Sequence, residues 1–118
     1  MPPNTQQLLQ RSLLGEAVDL LEDLAVFVWN EERNYVAVNE AACKVAGLSR
    51  EELIGMRVGA LTPGDAAEQI EAVRTTSPFS GASTLVRQDG TEVKLEWTTV
   101  HTKVAGLGYM VSVCRRVD

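Results

Sequence analysis

Hydrophobic and polar positions mark the elements of this chain one after another. The run LAVFVWN from Leu24 to Asn30 is apolar at nearly every position. Such a run suits a central strand covered on both faces, with Ala25, Phe27 and Trp29 on one side and Val26 and Val28 on the other. Polar Glu31, Glu32, Arg33 and Asn34 turn the chain into a short second strand carrying Tyr35, Val36 and Val38. Asn39 is placed to cap a helix over Glu40–Ala46, its side-chain oxygen taking an N–H two or three residues on. Gly47 can supply the positive φ at that helix's end. Ser49-Arg50-Glu51-Glu52 fits a capping box, Leu53 and Ile54 add apolar contacts, and Gly55 stops the second helix.

Residues 56–61 read as a short irregular or helical stretch. Thr62 then caps a further helix, with Pro63 at its first position and Asp65 near the positive dipole end. Ala66, Ile70 and Val73 share its inward face. A weakly alternating strand is predicted over 79–87, and Gln88-Asp89-Gly90 is a turn. Val93, Leu95 and Trp97 alternate cleanly with Glu92, Lys94 and Glu96, so one face of that strand is buried. Residues 101–106 read as a longer connection. The last strand, 107–117, sets Leu107, Tyr109, Val111 and Val113 against Gly108, Met110, Ser112 and Cys114. Ahead of all this, residues 5–22 have helical spacing, with Leu13, Ala17, Leu20 and Leu24 in one row and Leu14, Val18 and Leu21 in the next. Two readings of this wide stripe stand: it caps one side of the sheet, or part of it meets a second subunit.

The order and spacing of these pieces resemble a PAS domain, a sensory module of bacterial signalling proteins. YVAVNEAACKVAGLSREELIG (35–55) and VRQDGTEVKLEW (86–97) carry the resemblance, which runs over residues 19–117. It implies an α+β fold: a five-stranded antiparallel sheet with short helices over one face and an N-terminal amphipathic helix. The chain would divide into that helix (1–22) and the PAS domain (23–118). The resemblance further implies homodimerisation through the helix, by Leu13, Leu14, Ala17, Val18 and Leu21. It implies an effector after the last strand, such as a histidine kinase, a cyclic-dinucleotide enzyme or a transcription factor. The ending Arg115-Arg116-Val117-Asp118 reaches the point where such modules pass to their effector, so the chain reads as a domain cut from a longer protein.

Composition narrows the partners. The chain has 118 residues and a net charge of −5, with its Lys and Arg scattered. Phosphate binding along a nucleic acid needs a concentrated basic surface, so nucleic acid is not expected. No apolar run nears the ~20 residues of a membrane span, and the N-terminus lacks a secretory pattern. A cytoplasmic module is expected. Cys43 and Cys114 form no CxxC pair and read as small buried hydrophobes.

A helix-over-sheet fold leaves a space between its layers, the default place for a small ligand. The candidates to line it are Phe27, Trp29, Val38, Ala42, Val45, Leu53, Met56, Ile70, Leu85, Trp97, Tyr109 and Val111. For most of these, plain core filling is the simpler reading. Trp29, Trp97 and Tyr109 stand out because a buried indole or phenol brings a polar atom that needs a partner. Against the resemblance, residues 63–73 lack the His of haem-binding members, the single His being His101. MRVGALTP (56–63) lacks the Asn-Cys-Arg motif of light-sensing flavin members, and the later Cys of thioester-linked chromophores is missing. Haem and covalently held flavin or chromophore are therefore not expected. A non-covalent flavin, fatty acid or aromatic metabolite stays open. No catalytic motif surrounds His101, and the glycines form no phosphate loop. A ligand-free dimerisation module, or a small enzyme using Tyr109 or His101, are the competing readings.

Overall fold

The computed structural model describes residues 23–60 and 78–117. The elements are β1 (Leu24–Asn30), β2 (Tyr35–Val38), α1 (Glu40–Ala46), α2 (Arg50–Leu53), β3 (Phe79–Val86), β4 (Glu92–Val104) and β5 (Leu107–Arg116). The strands form one antiparallel sheet in the order β2-β1-β5-β4-β3. The expected helices over 5–22 and 62–73 lie outside the described residues.

Local chemistry sets the first half. Asn39 is wholly buried and its Oδ1 accepts from Ala42 N at 2.9 Å, capping α1. The same oxygen accepts from Val26 N at 2.9 Å, and Nδ2 donates to Leu24 O at 2.8 Å. One side chain thus starts the helix and pins it to β1. Gly47 ends α1 at φ 70, its N–H returning to Cys43 O. Ser49 and Glu52 close the capping box of α2 in both directions, and Arg50 Nε donates to Val38 O at 3.1 Å, tying α2 to β2. Residues 55–58 then run beside β2, with Tyr35 N donating to Met56 O and Gly55 N to Tyr35 O. That covers a strand edge that would otherwise offer open hydrogen bonds.

Both helices lie over the same face of the sheet, here called the inner face. Cross-strand pairing assigns the rest of it. Ala25, Phe27 and Trp29 stand opposite Cys114, Ser112 and Met110 on β5. Trp97 and Thr99 stand opposite Cys114 and Ser112. Phe79, Gly81, Ser83 and Leu85 continue the face on β3. The main core joins Ala25, Phe27, Val38, Ala42, Leu53, Leu85, Val93 and Leu95. Val26 and Val28 face outward and are nonetheless buried, Val28 clustering with Ala37 and Tyr109.

Two features depart from expectation. The pairing of β1 with β2 shifts between Val28 and Trp29, a bulge that sets Trp29 against Tyr35 and turns the Tyr35 ring inward, 5.3 Å from that of Phe27. Residues 101–104 are strand, not loop: β4 runs to Val104 and meets Leu107 across a two-residue turn. Ala105 and Gly106 both have positive φ, 52 and 82, as a turn with the hand of the sheet's twist requires. Ala seldom adopts that conformation, so no residue-type signal marks a tight turn there.

Candidate ligand-facing layer

A hydrogen-bonded row crosses the inner face. Trp29 Nε1 on β1 donates to Ser112 Oγ on β5 at 3.2 Å, and Ser112 Oγ shares a hydrogen bond of 2.7 Å with Thr99 Oγ1 on β4. Next to it, Trp97 Nε1 on β4 donates to Ser83 Oγ on β3 at 3.0 Å. Indoles and hydroxyls thereby link β1 to β5 and β4, and β4 to β3. Around them pack Met110, Tyr35, Val58 and Phe79. The Trp97 indole lies across Gly81, where an added Cβ would meet Cζ2 at 2.6 Å, and the Phe79 ring stands 5.7 Å away. Gly81 leaves the room that this indole occupies.

The electrostatics of this layer are those of an apolar interior. Burial pushes the Tyr35 phenol well above its ordinary range, and the neighbouring Cys114 thiolate would add to the effect. Burial likewise pushes the Cys114 thiol up to about 12. Both groups stay neutral at physiological pH, so Cys114 is no ready nucleophile. Every buried side-chain N or O among the described residues has a hydrogen-bond partner. No group of His, Cys, Asp and Glu among the described residues could hold a metal. No described helix is long and apolar enough to cross a membrane.

The predicted lining residues divide clearly. Phe27, Trp29, Val38, Ala42, Leu53 and Leu85 are buried on the inner side, and Val45, Met56 and Trp97 are partly buried there. Tyr109 and Val111 are not part of it. They stand opposite Asn30 and Val28, on the outer face, where Tyr109 joins Val28 and Ala37. The reason is register: β5 has two alternating sets, and pairing with β1 turns Met110, Ser112 and Cys114 inward. His101 stands opposite Met110 and Tyr109 opposite Thr102, so the two suggested acid-base residues sit on opposite faces and share no cavity. Ile70, and Leu13, Leu14, Ala17, Val18 and Leu21 of the expected dimer helix, lie outside the described residues. Reading residue types alone missed Ser112, Thr99, Ser83 and Tyr35. The usable signal was indirect: two inward Trp residues need acceptors, and small hydroxyl residues on neighbouring strands supply them.

The family model of the PAS fold matches residues 16–113. The chain belongs to the PAS family. Among solved structures it is similar to a PAS domain from a two-component sensor histidine kinase, at TM-score 0.80 and 17% identity, covering 94% of this chain and 99% of that one. A PAS domain of a Desulfitobacterium hafniense protein matches at TM-score 0.73 and 21% identity, covering 85% and 97%. A domain of a sensory box sensor histidine kinase/response regulator from Geobacter sulfurreducens matches at TM-score 0.69 and 23% identity, covering 93% of each chain. No curated protein matches the chain.

Proposed function

We propose that this PAS domain is a cytoplasmic sensory module of a signalling protein, joined at its C-terminal side to an effector such as a histidine kinase. A small, uncharged apolar or aromatic molecule would sit non-covalently on the inner face. The observation that carries this reading is the Trp29–Ser112–Thr99 row. A ligand that bonds to Ser112 competes with the Trp29 indole, one that bonds to Thr99 competes with Ser112, and either shifts the packing of three strands together. β5 is one of the three, and it is the last strand before the effector side. The ligand acts only through its different affinity for the two packings. The named kinases among the similar structures support the same class of output.

Native mass spectrometry of the purified protein tests it. A retained small-molecule mass is expected, and Ser112→Ala should lose it while the protein stays folded. A protein that carries no added mass, and whose Ser112→Ala variant behaves identically, would leave a ligand-free association module. One observation favours that second reading. Val100, Leu107 and Val113, the exposed large hydrophobics among the described residues, all lie on the outer face. In that reading the chain homodimerises through residues 1–22. Leu14→Glu or Val18→Glu should then yield monomers, and an unchanged sedimentation coefficient would count against it.

A further inference from the structure

Helix α1 lies over the inner face with a tie at each end. At its start, Asn39 bonds to Val26 N and Leu24 O of β1. At its end, Arg87 donates Nε to Val45 O at 2.9 Å and Nη2 to Lys44 O at 3.2 Å. Arg87 directly follows β3, and in the sheet β1 and β3 are separated by β5 and β4. The two ties therefore reach across the layer. Between them the helix holds on lightly. It has seven residues, of which the buried ones are Ala41, Ala42 and Ala46. Helices shorter than about 12 residues are marginal without tertiary support, and each alanine buries only a methyl group.

The ties are unequal. Asn39 is wholly buried, and its one amide serves two groups of β1 as well as the helix start. Arg87 is half-buried and its Nη2 bond is exposed, so water can replace the carbonyl there. The Arg87 stem rests on Gly47, where an added Cβ would meet Cδ at 3.2 Å. Beside this weaker end a cleft of about 580 Å³ runs between helix and sheet. Ala41, Lys44 and Val45 of α1 line it together with Arg87, and Ala25 and Cys114 line it from the sheet. Those two sheet residues belong to the inner face, and Cys114 stands opposite Trp97. The cleft leads under α1 toward the ligand-facing layer.

We propose that α1 is a hinged flap over the inner face, with Asn39 as the hinge and Arg87 as the latch that holds the far end down. Raising that end widens the cleft toward Trp97 and gives a small molecule a way in. As an entry route the flap rests on the sensory reading; as a hinge it does not, so the test uses no ligand. N-ethylmaleimide labelling of the full chain is followed at increasing urea below the unfolding transition, with Cys114 resolved from Cys43 by peptide mass mapping. Cys114 is 6% exposed, so it reacts from an opened state. A flap exposes little surface when it opens, so the Cys114 rate should be nearly independent of urea, unlike global unfolding. Arg87→Met keeps the stem and removes the donors, and should raise that rate roughly tenfold, as expected for losing a hydrogen bond made by a charged group. Arg87→Lys, which restores the charge and a donor, should fall between. If Arg87→Met does not fold, Arg87→Lys carries the comparison. Hydrogen exchange reads the hinge: the Gly47 and Leu48 amides, both bonded to Cys43 O, should exchange well before the Ala42 amide held by Asn39 Oδ1. A Cys114 rate that climbs with urea as global unfolding does, or that ignores the Arg87 variants, would overturn the latch. Equal protection of Ala42 and Gly47 would mean that α1 opens as a unit and would overturn the hinge. A protein that retains no small molecule yet meets these expectations keeps the flap and loses only the sensory reading.

Discussion

The inner and outer faces of the sheet use the same strands and similar residues, yet they are finished differently. On β4 the inner residues Val93 and Leu95 are 1% and 6% exposed, while Val100 of the outer face is 39% exposed. On β5 the inner Met110 is 1% exposed and the outer Val113 36%. The inner face also carries polar atoms, and these bond to one another across strands. The outer face keeps Val28 fully buried beside Ala37 but exposes its apolar residues toward β4 and β5. An alternating strand therefore shows that two faces exist, without showing which is the core. The inner face is built for stability and uniqueness, and the outer one tolerates contact with something else.

The sharpest way to break the comparison is to place the same charge on both faces. Val93→Asp would bury an unpaired carboxylate and should cost about 3–5 kcal/mol, enough to unfold a domain of this size. Val113→Asp should cost under about 1 kcal/mol and reduce any self-association. Urea unfolding of both variants measures the difference, and equal costs would show the outer face to be core as well. Asn39→Ala comes next. It removes a helix cap and leaves the Val26 amide and the Leu24 carbonyl without their partner, for an expected loss of about 2–3 kcal/mol. A loss below about 1 kcal/mol would mean that α1 is held to the sheet by its apolar contacts alone.

A further effect is one of pH. The Cys114 thiol is raised from an ordinary value of 9.0 to about 12 by burial. Above pH 9 the unfolded chain releases this proton first, so it binds fewer protons than the folded chain and stability falls as pH rises. The contribution is fully present below about pH 9 and is lost between there and about pH 12, at no more than about 1.4 kcal/mol per pH unit. Tyr35, raised for the same reason, acts in the same direction. Denaturation from pH 8.5 to 10.5 should show the decline, and Cys114→Ala should make it shallower. Thiol labelling at pH 8 should modify the half-buried Cys43 faster than Cys114.

What could be read along the chain was what neighbouring residues decide between themselves. The cap at Asn39, the positive φ of Gly47 and the capping box at Ser49 and Glu52 span a few residues each, and all three form. The period of β1 and the clean alternation of β4 are equally local, and so was the family pattern they compose. Most of the inner lining followed from β1, α1 and α2, whose apolar sides are fixed by those local signals. Tyr109 and Val111 were misassigned because β5 carries two alternating sets of comparable apolar character. Hydropathy favoured the larger residues, while pairing with β1 brought the smaller Ser112 and Cys114 inward.

Tertiary structure alone settled the rest. The bulge that turns Tyr35 toward Phe27 depends on β1 and β2 being side by side. The Trp29–Ser112 bond joins residues 83 positions apart. A sequence specifies directly the interactions that span a turn of helix or a step of strand. Which face becomes the interior, and which side chains meet there, is fixed only when strand register is chosen, because a shift of one residue exchanges the two faces.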